Sequence, residues 1–370
     1  MIFLIVMIAC FCIYYAAIIF RLSLELNHNQ IRKQQSNFFV SVVVAARNEE
    51  QFIALCLDAL VDQSYPKDRY ELIFVNDRST DRTAEIIESY QQKHPRFIQL
   101  HMSEKVTSIS PKKHALETGI RRAKGEIILT TDADCIPAKF WIQTMVNFFE
   151  TDVGLVAGFS PTEAFGRQRL FSKLLTLDSI SLAALTASSF SLGRPLTVSG
   201  RNLAYRKKVF QAVNGFQEIS HHISGDDDLF LHQVAQKTNL KFRYAFDPRA
   251  LVKTRIPDSC KQFAQQRIRH ASKGRFYSRW LKLFLAWIYL FNLLLVALLI
   301  ISFFSAKFFW LLLVILLLKS ISEFSFLFRF ARQFNYQKIF YVFPIAALLH
   351  PFYVVVFGAW GQFGKIKWKE

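Results

Sequence analysis

The chain has 370 residues, 52% of them hydrophobic and 20% charged, with 46 Lys and Arg against 28 Asp and Glu and a formal charge of +18. This composition excludes an intrinsically disordered chain. The 38 Phe residues exceed what one small core absorbs, so membrane segments joined to a globular region are expected. Between Ser259 and Glu370 there are 15 basic residues and two acidic ones, Glu323 and Glu370, so most of the excess charge lies near the C-terminus. These basic residues sit between long apolar runs. That arrangement favours an anionic membrane face over nucleic acid, and no nucleic-acid partner is expected. The five Cys show no paired metal-ligand spacing and read as free thiols of a reducing compartment.

Met1 to Phe20 carries no charged side chain and is long enough, at about 1.5 Å per residue, to cross a bilayer core. No basic region precedes it, which argues against a cleaved signal peptide. Arg21, Arg32 and Lys33 follow, so the N-terminus is expected outside and the next domain in the cytoplasm. FVSVVVAA (Phe39 to Ala46) is a β-branched run and predicts a buried parallel strand. Glu49 to Asp62 has helical spacing. ELIFVND (Glu71 to Asp77) predicts a second strand, Thr80 to Gln91 and Lys112 to Lys124 two helices, and GEIILTTDAD (Gly125 to Asp134) a third strand. Strands alternating with helices imply a doubly wound parallel sheet, whose ligands bind outside the carboxyl ends of the strands. Leu170 to Leu192 is read as packing or membrane-interface surface.

Three further apolar segments follow. Leu283 to Ser305 is uncharged. Phe308 to Phe328 is interrupted by Lys319 and Glu323, which stand four apart on one helical face and can pair. Ile339 to Trp360 contains His350-Pro351, a kink signal. Four spans leave Lys365, Lys367 and Lys369 outside, against the positive-inside trend, so either the tail is tolerated there or one segment does not cross. The expected organisation is an anchor over 1–20, a catalytic domain over 37–257, a basic interfacial segment over 258–282 and transmembrane helices over 283–360.

Acidic side chains gather where strands end. Asp77 closes the second strand. Asp132 and Asp134 close the third with a spacing of two, which in extended chain points both carboxylates one way. Hard oxygen donors so placed suit Mg²⁺ or Mn²⁺ held together with substrate phosphates, although a lone pair of this kind also serves as loop caps. Asp226, Asp227 and Asp228 stand in a row at a predicted helix start. One of them is expected to cap the helix. Their mutual repulsion should raise at least one pKa, as suits a general base. SGRN (Ser199 to Asn202) has two readings: Arg201 or Asn202 contacts a donor sugar, or the stretch is a turn feeding a helix over Arg206 to Val213. QQRIRHASKGR also reads as a membrane-surface helix.

The motifs AARNEE (Ala45 to Glu50), VNDRSTDRT (Val75 to Thr83), TDAD (Thr131 to Asp134), SGRNLAYRK (Ser199 to Lys207), GDDDL (Gly225 to Leu229) and QRIRH (Gln266 to His270) occur in an order that resembles membrane-anchored family-2 inverting glycosyltransferases, relatives of cellulose and hyaluronan synthases. The resemblance covers roughly Phe39 to Arg275. It implies a GT-A fold, Rossmann-like with a doubly wound mixed sheet. It further implies a nucleotide-sugar donor, a lipid-linked or glycan acceptor, contact with membrane lipids, and a multi-pass protein of the cell (inner) membrane working at the cytoplasmic face. By the same resemblance, Ala45, Arg47 and Glu49 line the nucleotide pocket, Asp77 bonds base or ribose, and Lys112 stands near the nucleotide. Asp132 lies nearer the nucleotide, Asp134 on metal and diphosphate, and Asp226 is the general base. Gln266, Arg267 and Arg269 match a Q-x-x-R-W element whose arginine faces the diphosphate.

Four positions depart from the family pattern. Ala45 replaces a Pro, Pro111 a Gly, Gly225 the Glu of a Glu-Asp pair, and His270 the Trp of Q-x-x-R-W. The third leaves Asp226 and Asp227 as rival bases, and the fourth argues against processive synthesis. Ala45, Gly225 and His270 keep open a second class of function, a membrane scaffold or export component with a degenerate nucleotide-binding domain.

Overall fold

The computed structural model describes residues 2–26, 37–104, 109–164, 166, 169–257 and 259–363. Arg32, Lys33, Lys365, Lys367 and Lys369, used above for orientation, lie outside the described residues. The chain begins with α1 (Ile2–Glu25), β1 (Val40–Ala46), α2 (Ile53–Val61), β2 (Tyr70–Asn76), α3 (Thr83–Lys93), β3 (Phe97–His101), α4 (Pro111–Arg122) and β4 (Ile127–Asp132). It continues through β5 (Cys135–Pro137), α5 (Trp141–Val146), β6 (Val153–Gly158), β7 (Thr162–Glu163), α6 (Leu170–Ser191), β8 (Leu203–Arg206), α7 (Lys207–Ala212) and α8 (Asp228–Lys237). Last come β9 (Lys241–Ala245), β10 (Val252–Arg255), α9 (Cys260–Ser272), α10 (Arg279–Ser302), α11 (Ala306–Gln333) and α12 (Phe343–Phe363).

Two compact units result. One holds the described residues of His28–Arg167 and Leu185–Ile256, the other those of Met1–Asn27, Gln168–Ala184 and Pro257–Glu370. Within the expected 37–257 domain, the described residues 169–184 group with the apolar helices.

The first unit is built on a seven-stranded sheet of order β3-β2-β1-β4-β8-β6-β9. The four strands β3, β2, β1 and β4 are parallel, β8 runs antiparallel to both β4 and β6, and β6 pairs parallel with β9. The βαβ pattern of the sequence holds for the parallel half, and β8 makes the sheet mixed. The β-branched residues Val40, Val42, Val43 and Val44 are fully buried because helices cover both faces of a parallel strand. Gly119 lets α4 approach β1 closely, since a Cβ there would stand 2.5 Å from Val43 Cγ1. The register sets Ala45 of β1 beside Val75 of β2 and Asp132 of β4, so the carboxyl ends of three strands form one row. A second sheet of order β5-β10-β7 follows the turn after β4.

The second unit contains α1, α9, α10, α11 and α12. Five helical stretches are long and apolar enough to cross a membrane: Val6–Glu25, Leu170–Ser191, Arg279–Ser302, Ala306–Gln333 and Gln337–Phe363. Four match the predicted spans. The Leu170–Ser191 stretch is the most buried of the five. Leu283, Leu317 and Ile321 point outward and are more than half exposed, as lipid-facing side chains would be. Inside, the predicted Lys319–Glu323 pair forms, with Nζ 2.8 and 2.9 Å from the two carboxylate oxygens. Tyr15 of α1 donates to Glu323, and Lys319 Nζ lies 3.3 Å from His350 Nδ1 of α12. A polar cluster thus ties α1, α11 and α12. Its charges balance, and a charge left alone there would be costly.

That balance makes a prediction. Lys319→Met or Glu323→Leu alone should cost about 3–5 kcal/mol, whereas the double variant should melt close to wild type in detergent. A double variant that loses as much as the two single ones together would show that the pair contributes nothing beyond its members.

Candidate functional site

The centre of the carboxyl-end row is an ammonium between two carboxylates. Lys112, on the first turn of α4, sets Nζ 2.8 Å from Asp132 Oδ1 and 2.9 Å from Asp226 Oδ2. This joins the end of β4 to the loop before α8, across almost one hundred residues of chain. Burial works against the charged lysine, but Asp132 and then Asp226 outweigh it and hold its pKa above the ordinary value. Burial likewise opposes the charged form of Asp132, and Lys112, with Arg201 assisting, keeps that carboxyl below the usual range.

The three consecutive aspartates have separate partners. Asp226 faces Lys112. Asp227 caps α8: its Oδ1 accepts from Asp228 N at 2.7 Å and its Oδ2 from Gly200 N at 3.4 Å. Asp228 is fully buried and accepts from Thr197 Oγ1 and Val198 N at 2.9 and 2.7 Å. The pairing of Asp226 with Asp227 as rival bases is thereby corrected, because Asp227 is engaged by backbone amides. The expectation of a row repelling itself gives way to three carboxylates, each with its own donors.

The SGRN stretch lies against this centre. Thr130 Oγ1 of β4 donates to Gly200 O at 3.3 Å. A Cβ on Gly200 would stand 3.3 Å from Asp226 Oδ2 and from Asp227 Cβ, so a larger residue would crowd both. Arg201 donates from Nε to Ser199 Oγ at 3.2 Å. Asn202 is a correction. It is fully buried, accepts from Trp141 Nε1 at 2.9 Å, and donates to the carbonyls of Phe159 and Ala250 at 2.9 and 2.8 Å. Its amide is saturated inside the core and reaches no sugar. Gly158 leaves room for it, since a Cβ there would lie 2.4 Å from Asn202 Nδ2.

On the other side of Asp132, the loops after β1 and β2 are laced together. Asn48 N donates to Ser79 Oγ, Glu49 N to Thr83 Oγ1 and Thr80 N to Asn48 Oδ1. Asp77 is buried, bonded to Arg78 at 2.8 Å and 3.9 Å from Arg47. Among the described residues the buried Nε of Arg47 has no hydrogen-bond partner. Ala45, Arg47, Glu49 and Asp77 thus edge one pair of loops, next to Asp132 in the register.

Gln266, Arg267 and Arg269 lie on α9, in the other unit. There Arg267 is committed to Asp178 at 2.8 Å, with Tyr353 also beside it. Its assignment to substrate is corrected: the guanidinium serves the packing of its own unit.

Asp132, Asp134 and Cys135 offer ligand atoms that all lie within 4.8 Å of one another. Two carboxylates suit a hard divalent cation. Burial raises the Cys135 thiol well above its usual pKa, and Asp134 and Asp132 add to the rise, so it stays a protonated, soft group and poor company for Mg²⁺ or Mn²⁺. The fitting donors are the two aspartates.

Residues 41–213 match the glycosyl transferase family 2 model. Of the curated proteins, the chain is 28% identical over 241 residues to the probable glycosyltransferase YdaM of Bacillus subtilis, covering 64% of this chain and 55% of that one. It is 26% identical over 243 residues to the poly-beta-1,6-N-acetyl-D-glucosamine synthase of Staphylococcus epidermidis, covering 64% and 54%. The chain therefore spans little more than half the length of these relatives. Among solved structures, the mannosyltransferase PcManGT of Pyrobaculum calidifontis, in complex with GDP-Man and Mn²⁺, superposes with a TM-score of 0.56 at 18% identity, over 93% of this chain and 99% of that one. The fold is GT-A.

Lys113, beside Lys112, was absent from the sequence-level candidates, as were Ser110 and Thr197. The basic doublet Lys112-Lys113 was the available signal. Asn202→Ala should leave the Trp141 N–H and two carbonyls without partners and cost at least about 2 kcal/mol, while nucleotide affinity of the folded protein stays unchanged. Thermal melting and titration with UDP or GDP check this; a selective loss of affinity would return Asn202 to the binding site.

Proposed function

We propose that this protein is a membrane-integral inverting glycosyltransferase. It moves a sugar from a nucleoside-diphosphate donor to a hydroxyl of a lipid-linked or glycan acceptor at the cytoplasmic face of the cell membrane. The observation that carries the reading is the Lys112 bridge, which gathers the strand-end Asp132 and the helix-leading Asp226 at the carboxyl edge of the sheet.

The laced loops after β1 and β2 receive the nucleoside, where Asp77 accepts from base or ribose and Arg47 offers its unpartnered Nε. Lys112 and Arg201 are the cations beside Asp132, and each draws the donor diphosphate. Asp132 and Asp134 hold a divalent cation, which when bound stabilises charge on the leaving diphosphate. Asp226 takes the proton of the acceptor hydroxyl, on the side of the sugar opposite the leaving group, as a single-displacement inverting transfer requires. Lys112 orients that carboxylate through its 2.9 Å contact. The relatives' names agree on glycosyl transfer, one of them to a dolichyl phosphate-linked sugar. Gln266 and Arg269 are proposed as donor-binding residues on the family resemblance alone.

Two outcomes test this. Asp226→Asn should lower kcat by about 10² or more with donor affinity retained, whereas Asp227→Asn should stay within a few-fold of wild type, since Asn caps as well as Asp. Loss of transfer in Asp227→Asn alone moves the base by one residue. Separately, release of nucleoside diphosphate from a panel of UDP- and GDP-sugars should stop in EDTA and return with Mn²⁺ or Mg²⁺; full turnover in chelator refutes the cation. No turnover of any donor in the panel favours the scaffold.

A further inference from the structure

The first turn of α4 presents two lysines with different surroundings. Consecutive helical residues stand about 100° apart around the axis, so side chains at 112 and 113 leave on different faces. Lys112 meets carboxylates. Lys113 is fully buried, and its Nζ donates to three backbone carbonyls, those of Ile219, His222 and Ser224, at 2.6, 2.6 and 2.9 Å. An ammonium has three N–H donors, and all three are used.

Ser110, immediately before the helix, grips the same segment. Its backbone N–H donates to Ser220 O and its Oγ to Ile223 O, both at 2.9 Å. Five carbonyls between Ile219 and Ser224 therefore accept from Lys113 of α4 and from Ser110 just before it. The segment starts at the end of a 3-10 helix (Gln217–Ile219) and continues as turns and bends, with no sheet ladder of its own to shape it. It ends at Gly225, whose φ of +100° is left-handed, and whose Cβ, were there one, would lie 2.5 Å from Leu229. The next residue is Asp226, on Lys112.

We propose that Lys113 is a positioning residue for the transfer reaction. It shapes the 219–224 segment from beneath, so that Asp226 arrives at Lys112 in a fixed place. This inference rests on the reading of Asp226 as the base. Lys112 and Lys113 then act as one clamp on the base loop, the first on the side chain of Asp226 and the second on the backbone that delivers it. An apolar side chain at 113 would leave three inward carbonyls without a donor, and the segment would turn some of them toward water. Misplacing a catalytic group by about 1 Å can cost about 10²-fold in rate.

The test uses the full-length protein in membranes, with UDP-GlcNAc and GDP-mannose as donor probes and UDP and GDP for binding. Lys113→Met is expected to lower kcat at least tenfold, while donor KM and nucleotide affinity stay within twofold. A residue that merely supports the fold would instead lower the folded fraction, and donor binding capacity would fall in parallel with rate. Should Lys113→Met fail to fold, Ser110→Ala decides, because it deletes one bond to the same segment. It is expected to lose three- to tenfold in kcat at unchanged donor KM, and wild-type kcat in Ser110→Ala would overturn the inference. Lys113→Met that folds and turns over at the wild-type rate overturns this inference alone. Wild-type protein that turns over no donor overturns the proposed function, and this inference with it.

Discussion

The site depends on one electrostatic constraint: a lysine ammonium held between two aspartates that stand almost one hundred residues apart in the chain. Asp132 and Asp226 brought together without a cation would repel each other. Lys112 stands between them, 2.8 Å from Asp132 and 2.9 Å from Asp226. The fold supplies the approach. Parallel β1 and β4 end in register, α4 begins beside them, and the antiparallel β8 brings the SGRN turn against the same edge. A glycine at 200 keeps that turn from crowding Asp226.

The same rule, that buried charges are matched, organises the apolar helices. Lys319 and Glu323 form a balanced pair with Tyr15 and His350 around it, and Arg267 pairs with Asp178. A helix bearing two charges can then be long and apolar enough to cross a membrane, since the charges answer each other four residues apart. Arg267 shows how a residue inside a recognisable motif can be drawn into an ion pair within its own unit.

Much of the fold was legible because periodicity reports burial. β1, β2, β4 and the helices between them carry clear apolar patterns, and the structure places all of them within a few residues of the expected ranges. The short strands were hidden. β8 is four residues long, LAYR, and follows a turn motif directly, so alternation had no room to show. Nor did local pattern reveal that β8 runs antiparallel, because direction depends on which neighbours it finds. Within the site, strand-end spacing pointed to Asp132 and Asp134 and the family resemblance to Lys112 and Asp226, and the contacts of Lys112 join two of them. Type alone misjudged Asn202, a polar residue drawn inward by the Trp141 N–H and two carbonyls, and Asp227, drawn off by backbone amides.

By itself the sequence determined the alternation of strands and helices, the apolar segments, and the acidic residues at strand ends, because each of these is a local consequence of side-chain type and spacing. The division of labour among identical side chains was decided only by the tertiary structure. Three adjacent aspartates became a lysine partner, a cap and a buried acceptor, and two adjacent lysines took a carboxylate pair and a set of carbonyls. A carboxylate or an ammonium has the same intrinsic chemistry wherever it stands, and what it does is set by the donors and acceptors that distant stretches of chain bring within about 3 Å of it.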